Sequence, residues 1–76
     1  MKRVKVKGIK YFKRDATSDE EMLEFEERIS VEEILNELNI DRRFVGYVIQ
    51  SGHPVDKDSY VEGEDDIKLI PILSGG

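Results

Sequence analysis

Only one stretch of this chain repeats its apolar residues at helical spacing. In SVEEILNELNI, Val31, Ile34, Leu35 and Leu38 recur at steps of three and four, which puts them on one face of a helix. Before and after it the apolar spacing is two, the period of a strand with one wet face. One short helix among alternating strands cannot build a helical bundle, but it can cover one face of a sheet. The pattern therefore predicts a two-layer α+β domain. The helix carries its own start signal: Ser30 suits the N-cap, Glu33 stands where it can complete a capping box, and Glu32 and Glu33 lie at the positive end of the helix dipole. Asn39 suits the exit from the helix.

The strands can be placed by the same reading. In VKVKGIKYF, Val4 and Val6 point one way and Arg3, Lys5 and Lys7 the other. After Gly8 the apolar phase moves to Ile9 and Tyr11, which predicts a bulge at the glycine. RDATSDEE is a polar loop. MLEFEERI resumes alternation with Leu23, Phe25 and Ile29 on one side, so the first two strands can form a hairpin. RFVGYVIQ is a third strand, Ser51-Gly52 a two-residue turn, HPV a short edge strand that tolerates its proline, and IKLIPIL the last strand. The expected architecture is a mixed sheet of four to five strands with one main helix packed on one face. Residues 1–73 form the domain and residues 74–76 a flexible Ser-Gly-Gly tail.

Composition narrows the chemistry. A chain of 76 residues makes one domain, burying only about 60–65% of its unfolded surface. It has no cysteine, which excludes a disulfide, a thiolate metal site and an internal thiol nucleophile, and its single histidine, His53, excludes a multi-histidine cage. No apolar run approaches the roughly 20 residues of a membrane span, and no apolar segment follows the basic N-terminal residues as it would in a secretory signal. A cytoplasmic location is expected. The net charge of −5 is uneven: residues 1–14 hold seven bases and no acid, leaving −12 on the remainder. That reads as a basic first strand salt-bridged to acidic neighbours. An acidic whole disfavours direct nucleic-acid binding and suits a complementary basic partner.

The last strand raises a separate question. Alternation in IKLIPIL puts Ile67 and Leu69 on one face and Lys68, Ile70 and Ile72 on the other. Lysine is rarely buried alone, so Lys68 marks the wet face. Pro71 has no N–H to give and is expected to end the ladder. Exposed Ile70 and Ile72 beside a free tail point to a docking patch, unless a neighbouring side chain covers them. Residues from Leu73 to Gly76 span at most about 14 Å when extended. Glycine has no Cβ, so Gly75 and Gly76 can thread a narrow passage and leave the terminal carboxyl carbon open to attack.

The stretch YVIQSGHPVDKDSYVEGEDDIKLIPILSGG resembles the ubiquitin-like sulfur-carrier family (the MoaD/ThiS group), which includes the small subunit of molybdopterin synthase and the sulfur carrier of thiamine synthesis. Residues 44–76 carry the likeness: an apolar strand, the Ser51-Gly52 turn, Pro54-Val55, an acidic turn around Gly63, an apolar strand and a small residue before Gly-Gly. Glu62-Gly63-Glu64-Asp65-Asp66 is one residue longer than the family's acidic turn, and KRDATSDEE replaces the segment that synthase subunits often carry after the first strand. The resemblance implies a ubiquitin-like β-grasp fold. It implies that the Gly76 carboxylate is adenylated and converted to a thiocarboxylate, with Ile70, Ile72, Leu73, Ser74 and Gly75 meeting the partner. No cofactor is bound by the chain itself. ATP and magnesium are used by a ubiquitin-activating-type adenylyltransferase, which supplies the catalysis. The sulfur comes from a cysteine desulfurase or rhodanese-like protein and goes to a molybdopterin or tungstopterin precursor, a thiazole phosphate or tRNA. A molybdopterin synthase large subunit or a thiazole synthase is the corresponding acceptor partner.

Other residues read more plainly. His53 is a surface turn residue, and Glu62 to Asp66 a solvated turn rather than a cation site. Tyr11, Phe12, Phe25, Phe44 and Tyr47 are expected to pack in the core or on a sheet face. Two other functions stay open: a ubiquitin-like modifier joined through Gly76 to other proteins, and a non-covalent interaction domain.

Overall fold

The computed structural model describes residues 1–72. It contains β1 (Lys2–Lys7), β2 (Glu20–Phe25), β3 (Ile29–Ser30), α1 (Val31–Glu37), β4 (Val45–Gln50), β5 (His53–Val55), β6 (Tyr60–Val61) and β7 (Asp65–Pro71). Five strands make one mixed sheet in the order β2-β1-β7-β4-β5, while β3 and β6 form a separate two-stranded pair. Within the large sheet β1 and β7 run parallel and all other neighbours are antiparallel. The chain is a small α+β domain with one α-helix and a mixed five-strand sheet.

The helix forms where its residues predict it, and its ends are closed by identifiable partners. The Ser30 hydroxyl accepts from the Glu33 N–H at 3.0 Å. The Val31 and Glu32 N–H groups donate to the carbonyls of Ser59 and Lys57 at 2.9 and 3.1 Å. Three of the four unpaired donors of the first turn are thereby satisfied, two of them by the loop before β6. At the other end Asn39 has a φ of +58°. The Ile40 N–H returns to the Leu35 carbonyl and the Asn39 N–H to the Asn36 carbonyl, the pairing of a Schellman cap. Val31, Ile34, Leu35 and Leu38 are buried together with Val4, Val6, Val45, Val48, Ile67 and Leu69. Each such side chain contributes about 1.5–3 kcal/mol by leaving water, so the helix is held by its buried face rather than by its two turns.

Three strand expectations need correction. Gly8 does not bulge: with a φ of +88° it ends β1 and opens a 3-10 turn over Ile9–Tyr11. A Cβ there would collide with the Leu69 carbonyl on β7, so β1 and β7 approach closely only because residue 8 is glycine. The turn replaces a period of two with a period of three. Ile9 is therefore buried and Phe12 half-buried, while Tyr11 faces water at 71% exposure. Ile29 does not extend β2; it pairs with Val61 in the small sheet. Finally, RFVGYVIQ is strand only from Val45, because Arg43 and Phe44 lie in a 3-10 turn. Val45 pairs with Pro71 and Tyr47 with Ile70, leaving Gly46 as the extra residue of a bulge.

The Ser51-Gly52 turn has a positive φ at both residues, +50° and +83°, as a tight two-residue hairpin turn requires. It joins Gln50 to His53 directly. Pro54 lies in β5 at the sheet edge, where its missing N–H breaks no ladder.

Candidate functional site

The finishing end of β7 brings together the described residues for which the sequence suggests a contact role. β7 is the middle strand of the sheet. It is paired with β1 from Asp65 to Lys68 and with β4 as far as Pro71. Pro71 does not end the ladder, because the Ile72 N–H donates to the Phe44 carbonyl at 3.0 Å. Alternation along a strand turns the Pro71 nitrogen to the opposite side, where pairing with β1 stops at Lys68. The proline thus sits where no donor is required. Leu73, Ser74, Gly75 and Gly76 lie outside the described residues.

Side chains on the outer face follow the register. Ile70 stands directly across from Tyr47, and Lys68 from Ile49. Ile67 and Leu69 point inward and are fully buried. Lys68 is exposed, as its position predicts, but the two isoleucines are not equivalent. Ile72 is 51% exposed, whereas Ile70 is half-buried beside its Tyr47 partner. Gly46 makes room for Ile72, whose Cα and Cγ1 would each lie 3.3 Å from a Cβ built on the glycine.

The aromatic residues are the main surprise. Phe25 is buried and Phe12 half-buried, but Tyr11, Phe44 and Tyr47 are 71%, 63% and 66% exposed. Tyr47 meets the strand end through its pairing with Ile70, and two open hollows bring Tyr11 and Phe44 to it. One, of about 260 Å³, is lined by Tyr11, Lys68, Leu69, Ile70 and Pro71. The other, of about 400 Å³, lies between Tyr11, Phe12, Ile40 and Phe44. Rings that the sequence assigns to packing instead stand exposed, with Ile72, at the finishing end of β7. Simple alternation conceals this: without the bulge at Gly46, Val45 and Tyr47 share a face. With it, Val45 turns inward beside Val48 and Tyr47 turns out. The phase change Val45-Gly46-Tyr47-Val48, apolar residues three apart across a glycine, is the signal that carries this information.

Charge around the site is arranged by local pairing. The Asp41 carboxylate caps a 3-10 turn over Arg42–Phe44 and grips Arg43 through both oxygens. The hydrogen bonds from Arg43 lower its pKa to about 2, and the same pairing raises that of Arg43. Phe44 is carried outward at the end of this turn.

The starting end of β7 is built differently. Asp65 accepts hydrogen bonds from the Gln50 side chain at 2.9 Å, from the Ser51 hydroxyl and from the Asp66 N–H. Burial pushes its carboxyl up, but these donors outweigh it and its pKa is lowered. Arg3 pairs with Glu64 at 3.5 Å and Lys7 with Asp66 at 3.8 Å, so the basic first strand does meet acidic neighbours. A hollow here, beside Arg3, Lys5 and Met22, is lined by these mutually satisfied charges.

His53 is exposed on the edge strand. Among the described residues no group of three or more His, Asp or Glu side chains is placed to hold a metal, and no helix is long and apolar enough to cross a membrane. Compared with models of protein families and with curated proteins, the sequence matches none of either.

Proposed function

We propose that this chain is a ubiquitin-like sulfur carrier of β-grasp fold whose working group is the Gly76 carboxylate. The observation that supports it best is the place of β7. A central strand held on both sides runs to an exposed apolar surface, and the four residues from Leu73 to Gly76 follow directly from Ile72. A terminal group delivered to another protein needs both a rigid origin and a place for that protein to grip. The sheet order, with parallel β1 and β7 at its centre and one helix over its inner face, is compatible with the β-grasp.

In this reading the chain presents its terminus and supplies no acid, base or metal. A carboxylate is a poor electrophile. The adenylyltransferase uses ATP and magnesium: a Gly76 oxygen attacks the α-phosphorus, pyrophosphate leaves, and an acyl-adenylate forms. A persulfide sulfur then attacks the acyl carbon and AMP departs with the bonding pair. A thiol cleaves the resulting acyl disulfide at its S–S bond, leaving a thiocarboxylate on Gly76 and oxidised thiol. Tyr47, Ile70 and Ile72 provide the docking surface for these steps, and the small Ser74, Gly75 and Gly76 enter the partner's cleft.

The test is the intact mass of the protein isolated from its own cell. The expected species ends at Gly76 and gains the mass of sulfur replacing oxygen, and the gain disappears when Gly76 is deleted. A ladder of conjugates on other proteins, with no sulfur-bearing form, would replace this reading with that of a protein modifier.

A further inference from the structure

The two edges of the five-stranded sheet are finished differently. β5 is three residues long and holds Pro54, and both features spoil an edge as a template for further pairing. β2 is six residues long, pairs with β1 along its whole length without a bulge and contains no proline. Its other side faces no strand, and alternation turns half of its backbone N–H and C=O groups that way. Only acids guard it: residues 19–27 hold six of them and no base. Glu20 and Glu24 stand directly across from Lys7 and Arg3. Those bases nevertheless turn toward β7, to Asp66 and Glu64 at 3.8 and 3.5 Å. Glu20, Glu21 and Glu24 take part in none of the ion pairs found among the described residues.

We infer that the free edge of β2 accepts an extended basic segment of another protein as a sixth strand, with Lys or Arg at every second residue. Backbone pairing supplies the hold, and the glutamates select the side chains. The residues of β2 face both of their neighbours alike, so β1 displays the complementary pattern: bases across from Glu20 and Glu24, and Val4 across from Leu23. Met22, 48% exposed, and half-buried Leu23 add apolar contact, one on each face of the sheet. A second copy of the chain fits worse. Two β2 strands paired antiparallel about Met22 set Glu20 across from Glu24 at both ends, and like charges directly opposite are destabilising. The acids thus keep copies apart while leaving the ladder open to a basic strand.

The probe is a capped synthetic peptide copying residues 1–8, titrated into the full chain and followed by amide NMR. Shift changes and slowed hydrogen exchange should concentrate at Glu20–Phe25. The same peptide with glutamate in place of its bases should bind about tenfold more weakly or worse. N-methylation of one set of alternate peptide amides should abolish binding, and of the other set change it less than about threefold, because only one set faces β2. Glu20→Gln with Glu24→Gln should weaken binding about threefold or more, with melting curves confirming that the variant is folded. Failure of the basic peptide to bind overturns the inference, as do shift changes centred on β5. Equal binding of both N-methylated peptides overturns it in favour of charge attraction without a ladder. A dimer of the wild-type chain that protects the β2 amides overturns it in favour of a second copy.

Discussion

The two ends of β7 contrast in how their side chains are satisfied. At the start, Asp65 has three donors, Arg3 and Lys7 face carboxylates, and a tight turn locks β4 to β5. At the finish, Tyr11, Phe44, Tyr47 and Ile72 stand in water. A small domain has little stability to spare, and leaving several large apolar groups exposed forgoes some of it. The difference teaches where to look for function: one end of the strand is completed by its own chain, and the other is left for something else to complete.

The sharpest way to break this contrast is to remove Gly76. Adenylation by the partner enzyme should vanish, while the melting temperature stays that of the parent. A melted protein, or one that is still adenylated, would count against the proposed role of the terminus. Next in size is Gly8→Ala, which combines an unfavourable positive φ with a collision against Leu69. It should cost about 2 kcal/mol or more in urea unfolding, and a near-neutral result would mean that β1 and β7 are not locked there.

Ile72→Asp should separate the two ends. Docking to the adenylyltransferase is expected to weaken about tenfold, with stability changed by no more than about 0.5 kcal/mol. If unfolding shifts more than binding, Ile72 belongs to the core rather than to a contact surface. Ser30→Ala should cost about 1 kcal/mol through loss of the helix cap and leave docking unchanged.

The smallest effect concerns pH. Because the folded pKa of Asp65 lies below its unfolded value, its contribution is present above the unfolded value and is lost as pH falls through the folded one. Asp65→Asn should therefore reduce stability near neutrality and flatten the acid limb of the stability curve below about pH 4. An unchanged acid limb would show that Asp65 stays solvated. Asp41, also lowered, is too exposed to be expected to contribute measurably.

Local patterns in the sequence sufficed for the helix, its Ser30 start and Asn39 exit, the Ser51-Gly52 hairpin, the edge position of Pro54, and the inward facing of Ile67 and Leu69. Each depends on near neighbours: a hydroxyl reaching an N–H three residues on, a backbone angle that few residues tolerate, or alternation along one strand. The direction of Tyr47, the exposure of Tyr11 and Phe44, the partial burial of Ile70 and the continuation past Pro71 depended on the fold. Alternation assigns a side to each residue only while the backbone keeps its period. A left-handed glycine at 8 and a bulged one at 46 break that period, and whether a glycine does so is decided by the strand beside it. The sequence contains Tyr11, Phe44 and Tyr47 in separated stretches, but only the packing of β1, β4 and β7 brings them to one end of the sheet.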